Sequence, residues 1–333
     1  MHQPSGQAMS HIAGCVVSVD PIITVSKYET AVPGGLASLK PEYFEAKPSL
    51  HFLGLVSSAE LDNAAAIANG LAEIRSRLPQ ARFVMMANTP LEALAFARVG
   101  APNLLANELI FVDERLFTPA PPSASRAPRY DAVYTARLDP AKRHELAKAV
   151  SSLVLTYGTP QAGDVERVRN ILPHAVFANH ELNAGAYRMF GERGVRDLLI
   201  RCGVGLCLSA VEGAMRASLE YRFCGIPVVS TRSLGGRDRY LLGPHVRVVD
   251  DNPEAIAQAV AELKSLKFNP LAVREYAGQL VAFDRHNFLL NANKIVEREL
   301  GVRDRFRSFA PFLRYPVAWR RPEEILAPFA AKR

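Results

Sequence analysis

The segment "LSAVEGAMRASLEYRFCGIPVVST", residues 208–231, decides the fold. One apolar strand is predicted to end at Leu208 and a second to run into Thr231, with a helix-prone stretch between them. A strand, a helix and another strand in this order form the repeating unit of a parallel α/β sheet. The stretch also carries two carboxylates, Glu212 and Glu220, eight positions apart. Their place directly after a strand raises the question of what they bind.

The same alternation of apolar runs and helical stretches extends to both sides of this segment. The predicted strands are LHFLGLV (50–56), ARFVMMA (81–87), YDAVYTARL (130–138), SLVLTYG (152–158), HAVFA (174–178), GVGLCLS (203–209), IPVVST (226–231) and VRVVD (246–250). Runs that are apolar throughout are typical of parallel strands covered by helices on both faces. We therefore predict an α/β protein with doubly wound sheets.

One segment, TPAPPSASRAPR, interrupts this alternation and is rich in Pro, Ser and Ala. It predicts a linker at 119–129. The first domain, 1–118, is expected to be short and irregular at its start, and the second, 130–282, to be regular. Residues 283–333 are predicted to form a long helix and a tail rich in Arg and aromatic residues. A chain of 333 residues is long enough for two domains.

Composition narrows the chemistry that the chain can perform. The four cysteines form no CxxC pair, and no Asp-x-Asp motif lies in a suitable loop, so neither a metal nor a separate cofactor is expected. The absence of a long apolar run and of a secretory signal favours a cytoplasmic protein. The net charge of +7 favours anionic partners. A nucleic-acid binder is not favoured, because no nucleic-acid motif is present.

Cationic residues and glycines follow predicted strands of the second domain. Arg137, Lys142 and Arg143 lie in ARLDPAKRHEL, and Gly235 and Gly236 lie in RSLGGRDR. Open α/β sheets bind ligands beyond the carboxyl ends of their strands. Guanidinium, ammonium and closely approaching glycine amides can hold a diphosphate there. The pattern therefore predicts a diphosphate site, although the cations alone also fit a solvated face and the glycines an ordinary turn.

The two glutamates fit the rest of a nucleotide sugar. If a helix begins near Gly213, Glu220 lies about 10 Å along its axis from Glu212, which is the separation of a hexose from a ribose across a diphosphate. Simpler interpretations exist for both carboxylates. Ser209 and Glu212 match a capping box, and Arg216 and Glu220 match a surface ion pair four residues apart.

The order of these features resembles the donor-binding half of retaining GT-B glycosyltransferases of the family called glycosyltransferases group 1, or family 4. The similarity covers about residues 130–267 and includes a Glu-x7-Glu motif, the CGIPVVS strand, a Gly-Gly loop and the PEAIAQAV helix. It implies two Rossmann-like domains facing across a cleft, the N-terminal one short in this chain. It also implies a nucleotide-sugar donor.

The resemblance assigns roles to individual residues. By position, Arg137 and Lys142 are implied to hold the diphosphate. Glu212 is implied to contact the donor sugar near its reacting carbon, and Glu220 to hold the ribose. The amides around Gly213 and Ala214 complete the implied site. All these assignments rest on matched positions in the family's motif.

The chain departs from the family pattern at several of these positions. EGAM occupies residues 212–215, where Glu-Gly-Phe-Gly is common. Ala136 stands where a glycine often precedes the arginine, and Arg143 stands where a glycine is common after the lysine. GGRDR also lacks the glutamate that usually follows the glycine pair by two residues.

The first domain offers fewer candidates. Gly34 and Gly35, in VPGGLAS, fit either a substrate-binding loop or a plain turn. His51 is predicted to be a core residue. Asn107 is predicted to be structural, with a place near the cleft as the alternative. His180, in the second domain, follows a predicted strand and is a further candidate for the cleft.

The resemblance, together with these residues, implies a retaining glycosyltransferase that moves a sugar from a nucleotide sugar to a glycan or lipid-linked acceptor, in surface polysaccharide or glycolipid assembly. The alternative is a GT-B subunit that binds nucleotide sugars, or acts as a scaffold, without transfer.

The tail, RDRFRSFAPFLRYPVAWRR, suggests contact with an anionic membrane, with its arginines at headgroup phosphates and Phe309, Phe312 and Trp319 at the interface. The alternatives are a tail that packs back onto the first domain and a tail that bridges the two domains and buries those aromatics.

Overall fold

The computed structural model describes residues 11–55, 63–121, 128–314 and 320–330. The described residues divide into two compact units. The first unit is drawn from Met1–Phe111 and Phe283–Arg333, and the second is Val112–Ala282.

The division falls at residue 111, earlier than the predicted end of the first domain at residue 118. The reason is a set of hydrogen bonds that tie the intervening segment to the second unit. Arg274 Nη1 donates to the carbonyl of Phe117, and Arg196 donates to the carbonyls of Thr118 and Pro119. Residues 122–127 of the predicted linker lie outside the described residues. The segment after residue 282, predicted as a separate helix and tail, belongs with the first unit.

Eleven strands are described. They are β1 (Gly14–Val19), β2 (Ile22–Tyr28), β3 (Ser49–Leu55), β4 (Ala81–Ala87), β5 (Asn103–Leu105), β6 (Tyr130–Thr135), β7 (Leu153–Thr156), β8 (Val176–Phe177), β9 (Cys202–Cys207), β10 (Val228–Thr231) and β11 (Val246–Val249). Every run predicted as a strand overlaps one of them.

Ten α-helices accompany these strands. They are α1 (Leu36–Leu39), α2 (Ala64–Arg77), α3 (Pro90–Arg98), α4 (Asp164–Ile171), α5 (Ala178–Glu181), α6 (Glu192–Leu199), α7 (Arg216–Phe223), α8 (Pro253–Ser265), α9 (Pro270–Leu300) and α10 (Pro322–Ala330). Local sequence explains several of the starts. Thr89 Oγ1 accepts a hydrogen bond from Glu92 N before α3, and Asn252 Oδ1 accepts one from Ala255 N before α8, each followed by Pro at the first helical position.

The sheet of the first unit has the order β1-β2-β3-β4-β5, with β1 antiparallel to β2 and all other pairs parallel. The β1–β2 hairpin corrects the prediction of an irregular start. Gly34 and Gly35 follow β2, and Gly35 has a φ of +58° at the residue before α1. L-residues rarely adopt that conformation, whereas glycine adopts it without strain. The glycine pair therefore allows a tight turn between β2 and α1.

An aromatic cluster fills one part of the core of the first unit. Phe288 of α9 packs against Phe52 and Phe111 with ring centroids 5.9 and 5.6 Å apart, and against Phe309 and Phe312 at 5.6 and 4.9 Å. Phe312 is fully buried and Phe309 is 8% exposed. The prediction that these two rings lie at a membrane interface is therefore wrong, because they are core residues. Trp319 lies outside the described residues.

The tail also returns to the start of the first sheet. Arg320 and Ile12 exchange backbone hydrogen bonds of 2.8 and 3.1 Å, and α10 packs beside β1. Packing of the tail onto the first unit, which was one of the alternative interpretations, is confirmed for residues 320–330.

The sheet of the second unit is parallel throughout, with the order β8-β7-β6-β9-β10-β11. Numbered along this unit, the strands read 3-2-1-4-5-6, which is the order of the Rossmann fold. The chain builds outward from β6 in one direction and then restarts at β9 on the other side. The carboxyl ends of β6 and β9 therefore form the topological switch point, where such sheets bind their ligands.

Candidate functional site

An ion pair lies at this switch point. Lys142, in the loop after β6, places its Nζ 2.6 Å from Oε1 of Glu212, in the loop after β9. The two side chains are only 10% and 18% exposed. Ser209 Oγ donates to the second carboxylate oxygen of Glu212. The structure thus brings together two residues that the sequence predicted for one site and that are 70 positions apart.

The loop after β10 is joined to the same place. Glu212 N donates to Leu234 O at 2.9 Å, Leu234 N to Ala210 O at 2.8 Å, and Arg237 N to Glu212 O at 3.1 Å. These bonds set Gly235 and Gly236 beside Glu212. Gly235 has a φ of +99°, a conformation that glycine adopts without strain. The glycine pair therefore lies next to Glu212 in a loop that is bonded to the one after β9.

Arg237 connects the loop after β9 with the end of β10. Its side chain is fully buried, and its guanidinium donates to the carbonyls of Ser209 and Thr231 and to Ser230 Oγ, the last at 2.9 Å. Asp238 accepts from Nε at 2.8 Å. The carbonyls and the carboxylate satisfy the buried charge, so Arg237 is a structural residue that the sequence pattern did not distinguish from the other cations.

The three cations of ARLDPAKRHEL have different roles. Arg137 is exposed and pairs with Asp139, with 3.0 Å between Nε and Oδ2. Arg143 donates to the carbonyl of Leu208 at 2.6 Å, to Thr231 Oγ1 at 2.8 Å and to Asp251 Oδ2 at 2.5 Å. It therefore connects the last residue of β10 with the segments that follow β9 and β11.

Arg143 also explains one departure from the family pattern. Its φ of +50° and ψ of +50° lie in the left-handed region, which glycine occupies most easily. The backbone thus keeps the conformation that favours glycine, while the side chain adds three hydrogen bonds that glycine cannot make.

Glu212 and Glu220 do not share a helix. Helix α7 begins at Arg216, so Gly213 and Ala214 belong to a non-helical segment before it, and the separation derived from a helix starting near Gly213 is wrong. The capping-box interpretation is wrong for the same reason, because Glu212 lies four positions before the helix. No side chain of the described residues caps α7, and its N-terminus lies just after Gly213 and Ala214.

Glu220 is buried on α7. Its side chain is 9% exposed, and Oε1 lies 3.8 Å from Nε of Arg216, which is 22% exposed. The two residues therefore pair as predicted, but within the unit and not at its surface. Burial raises the pKa of the Glu220 carboxyl to about 7, against the opposing effect of Arg216. A carboxyl with such a pKa is a functional-site candidate.

A histidine and two tyrosines that follow β7 and β8 form a second cluster. Tyr157 Oη lies 2.6 Å from Nδ1 of His180, and the rings of Tyr157 and Tyr187 stack with centroids 6.2 Å apart. Burial raises the pKa of Tyr157 to about 12. His180 therefore lies at the carboxyl edge of the sheet, as expected. Tyr157 and Tyr187 were missed, because single tyrosines in loops carry no spacing signal.

His51 and Asn107 are both buried in the first unit. His51 is fully buried between Thr24 Oγ1 and Ser49 Oγ, at 2.8 and 2.9 Å, and burial lowers its pKa to about 3. It is a neutral core residue, as predicted. Asn107 is buried and bonds to Leu109 N and to the carbonyl of Asn88, which is a structural role.

Within the described ranges, no group of three or more His, Cys, Asp or Glu side chains is arranged to hold a metal ion. All four cysteines are buried. None of the described helices has the length and apolar character needed to cross a membrane.

Comparison with solved structures identifies the fold. A sucrose-phosphate synthase from Thermosynechococcus elongatus aligns with a TM-score of 0.54 and 15% identity over 84% of this chain and 74% of its own. AviGT4, a glycosyltransferase involved in avilamycin A biosynthesis, aligns with a TM-score of 0.52 and 13% identity over 80% and 78%. Anabaena HepE in complex with UDP and glucose aligns with a TM-score of 0.50 and 16% identity over 80% and 74%.

These solved structures are GT-B glycosyltransferases, and the chain accordingly has a GT-B type fold with two Rossmann-like units. No family model matches the sequence. No curated protein matches it by sequence either.

Proposed function

We propose that this protein is a retaining glycosyltransferase that moves a sugar from a nucleotide-sugar donor to a glycan or lipid-linked acceptor. The observation that carries the proposal is the Lys142–Glu212 pair at the switch point of a parallel sheet in Rossmann order. A cation can bind the diphosphate of a nucleotide sugar, and a carboxylate can accept hydrogen bonds from the hydroxyls of its sugar. A neighbouring cation and carboxylate can therefore hold the two parts of one donor. The structural neighbours support the same substrate class, since HepE was solved with UDP and glucose.

Donor binding follows from the residues present. Lys142 and Arg137 hold the diphosphate, and the amides of Gly235 and Gly236 lie beside Glu212 to assist them. Glu212 moves from Lys142 to the hydroxyls of the donor sugar, and Lys142 moves from Glu212 to the phosphates. Each charge therefore has a partner both before and after binding, which avoids an unpaired buried charge.

Transfer requires stabilisation of the departing diphosphate. As the bond between the sugar carbon and the phosphate oxygen lengthens, positive charge develops on the sugar and negative charge on the diphosphate. Fixed cations and backbone amides stabilise that negative charge most strongly when they are already oriented. Lys142 suits this role because its side chain is only 10% exposed and its backbone carbonyl accepts a hydrogen bond of 2.6 Å from Tyr134 Oη. Glu212 stabilises the sugar near its reacting carbon, and Glu220 holds the ribose.

The alternative function is a nucleotide-sugar-binding or scaffold subunit without transfer. One observation favours it. Both cations assigned to the diphosphate are already paired with carboxylates of the chain itself, Arg137 with Asp139 and Lys142 with Glu212. If these pairs are too stable to exchange, the donor binds weakly and is not cleaved.

Two measurements separate these functions. Calorimetry with UDP, GDP and ADP, on the wild type and on Arg137→Ala, tests donor binding. A screen of nucleotide sugars for hydrolysis and for transfer to glycan and lipid-linked acceptors then tests catalysis. Binding with turnover supports the transferase, and binding without turnover supports the scaffold. If the wild type binds no nucleotide, or Arg137→Ala binds equally well, the assigned site is wrong.

A further inference from the structure

A groove of about 580 Å³ lies in the first unit, outside the switch point of the second unit. Its lining includes Val17 of β1 and, from the segment after α9, Arg303, Arg305, Arg307 and Ser308. None of these residues has a role in the proposed transfer reaction. The groove therefore needs a separate explanation.

The charge of the groove is strongly positive. Three arginines line it, and Asp304 is the acidic residue among the lining residues described. The Arg303 side chain is 82% exposed, with its Nε 3.4 Å from Glu297 Oε1. No ion pair to Arg307 is formed by the residues described. The guanidinium groups of Arg303 and Arg307 face solvent, where they create a positive potential that attracts anions.

One arginine is held in position by the sheet. The register of the β1–β2 pair shifts between Val16 and Ser18, so Val17 is the extra residue of a β-bulge. Ser18 Oγ accepts hydrogen bonds from Nε and Nη2 of Arg305 at 3.2 and 2.9 Å. A guanidinium fixed on two of its nitrogens has a defined orientation in the groove. The bulge therefore shapes the groove and orients its central cation.

Two buried aromatic residues anchor the segment that carries these arginines. Phe306 and Phe309 are 5% and 8% exposed, and their rings join the core cluster around Phe312. Phe306 also lines the groove, where the centroid of its ring lies 5.7 Å from the Arg305 guanidinium carbon. The groove is therefore built on a segment that is tied to the core of the first unit.

We propose that this groove binds a phosphoryl group, carried either by a soluble phosphorylated compound or by a lipid headgroup. Planar guanidinium groups bind phosphate oxygens in pairs, and the Ser308 hydroxyl adds a further donor. The volume is large enough for a phosphate together with the molecule that bears it.

The test uses two probes and two matched double variants. The probes are glycerol 3-phosphate, followed by calorimetry, and phosphatidylcholine vesicles with or without phosphatidylglycerol, followed by co-sedimentation. Arg303→Gln with Arg307→Gln removes two charges from the groove. Arg75→Gln with Arg98→Gln removes two exposed charges elsewhere in the same unit. Equal thermal unfolding midpoints show that both double variants fold.

We expect at least one probe to bind the wild type and the Arg75/Arg98 control, and to bind the groove variant about tenfold more weakly or worse. Binding of glycerol 3-phosphate identifies a soluble ligand, and salt-sensitive binding to phosphatidylglycerol vesicles alone identifies a headgroup. Lys142→Gln should leave either signal unchanged, because that residue belongs to the diphosphate site. The proposal is overturned if neither probe binds the wild type, or if the control variant loses as much affinity as the groove variant.

Discussion

Lys142 has two possible partners in the second unit, the Glu212 carboxylate that it contacts and the donor phosphates proposed to replace it. Lys142→Gln keeps much of the volume and removes the charge. We expect the affinity for nucleoside diphosphates to fall at least about tenfold, since a charge-assisted hydrogen bond to phosphate is lost. Calorimetry measures this change, and Lys148→Gln, an exposed residue of the same unit, is the control. Unchanged affinity in Lys142→Gln would contradict the assigned role.

The two glutamates are expected to separate kinetically. Glu212 is assigned to the sugar and Glu220 to the ribose, so Glu212→Gln should lower turnover more than nucleotide affinity, and Glu220→Gln should do the reverse. Steady-state kinetics with the donor found in the screen, together with calorimetry, distinguishes the two effects. Small and equal effects would show that neither carboxylate contacts the donor.

Glu220 also predicts how stability depends on pH. Its pKa is about 7 in the folded unit, above the ordinary value of 4.5. Between these two values the folded state retains a proton that the unfolded state has lost. The contribution to stability is therefore complete below about pH 4.5 and is lost as the pH rises through about 7. Denaturant unfolding at several pH values should show a smaller decline for Glu220→Gln than for the wild type. Parallel curves would contradict the assignment.

The order of the motifs predicted that Lys142 and Glu212 lie close together, but not which charges pair around them. Both residues follow strands, and parallel strand ends meet at one edge of a sheet. The residue types did not separate Arg137, which is exposed, from Arg143, whose side chain connects the end of β10 with two loops. That difference depends on contacts between residues more than 60 positions apart, which spacing does not report.

The left-handed backbone at Arg143, in the second unit, predicts how two substitutions there differ in stability. Arg143→Ala and Arg143→Gly lose the same three hydrogen bonds, so both should be less stable than the wild type by roughly 1–3 kcal/mol. A left-handed conformation costs an L-residue about 1–2 kcal/mol, whereas glycine adopts it freely. Arg143→Gly should therefore unfold at a higher denaturant concentration than Arg143→Ala. The reverse order would show that the φ of +50° is not retained.

The elements themselves were largely predictable, because buried parallel strands appear as continuous apolar runs. The β1–β2 hairpin was missed, because GCVVSV and IITVSKY are interrupted by Ser, Thr and Lys and are not such runs. Only Asp20 and Pro21 separate the two strands. A two-residue connection is typical of a hairpin, but it was not recognised because the rest of the chain alternates strands with helices. Strand β5 has three residues and is too short to show any period.

For the whole molecule, the first unit is expected to depend on the C-terminal segment for its core. Phe312 is fully buried among Phe288, Phe306 and Phe309. Phe312→Ala should destabilise the first unit by roughly 3–5 kcal/mol, as large-to-small changes in a packed core do. Thermal and chemical unfolding measure the loss. Phe283→Ala, at a position 65% exposed, is the control and should have little effect. Equal, small effects would show that the aromatic cluster contributes little.

The chain returns to its first unit only after the second is complete. During synthesis, therefore, all of Val112–Ala282 leaves the ribosome before Phe288 and Phe312 can reach the β-strands made earliest. The second unit can fold while the first still exposes Phe52 and Phe111 to solvent or to a chaperone. Nascent chains halted when residue 282 has just emerged from the ribosome should consequently present a protease-resistant second unit and a protease-sensitive N-terminal portion, the opposite of the usual order in which the earliest-made domain matures first.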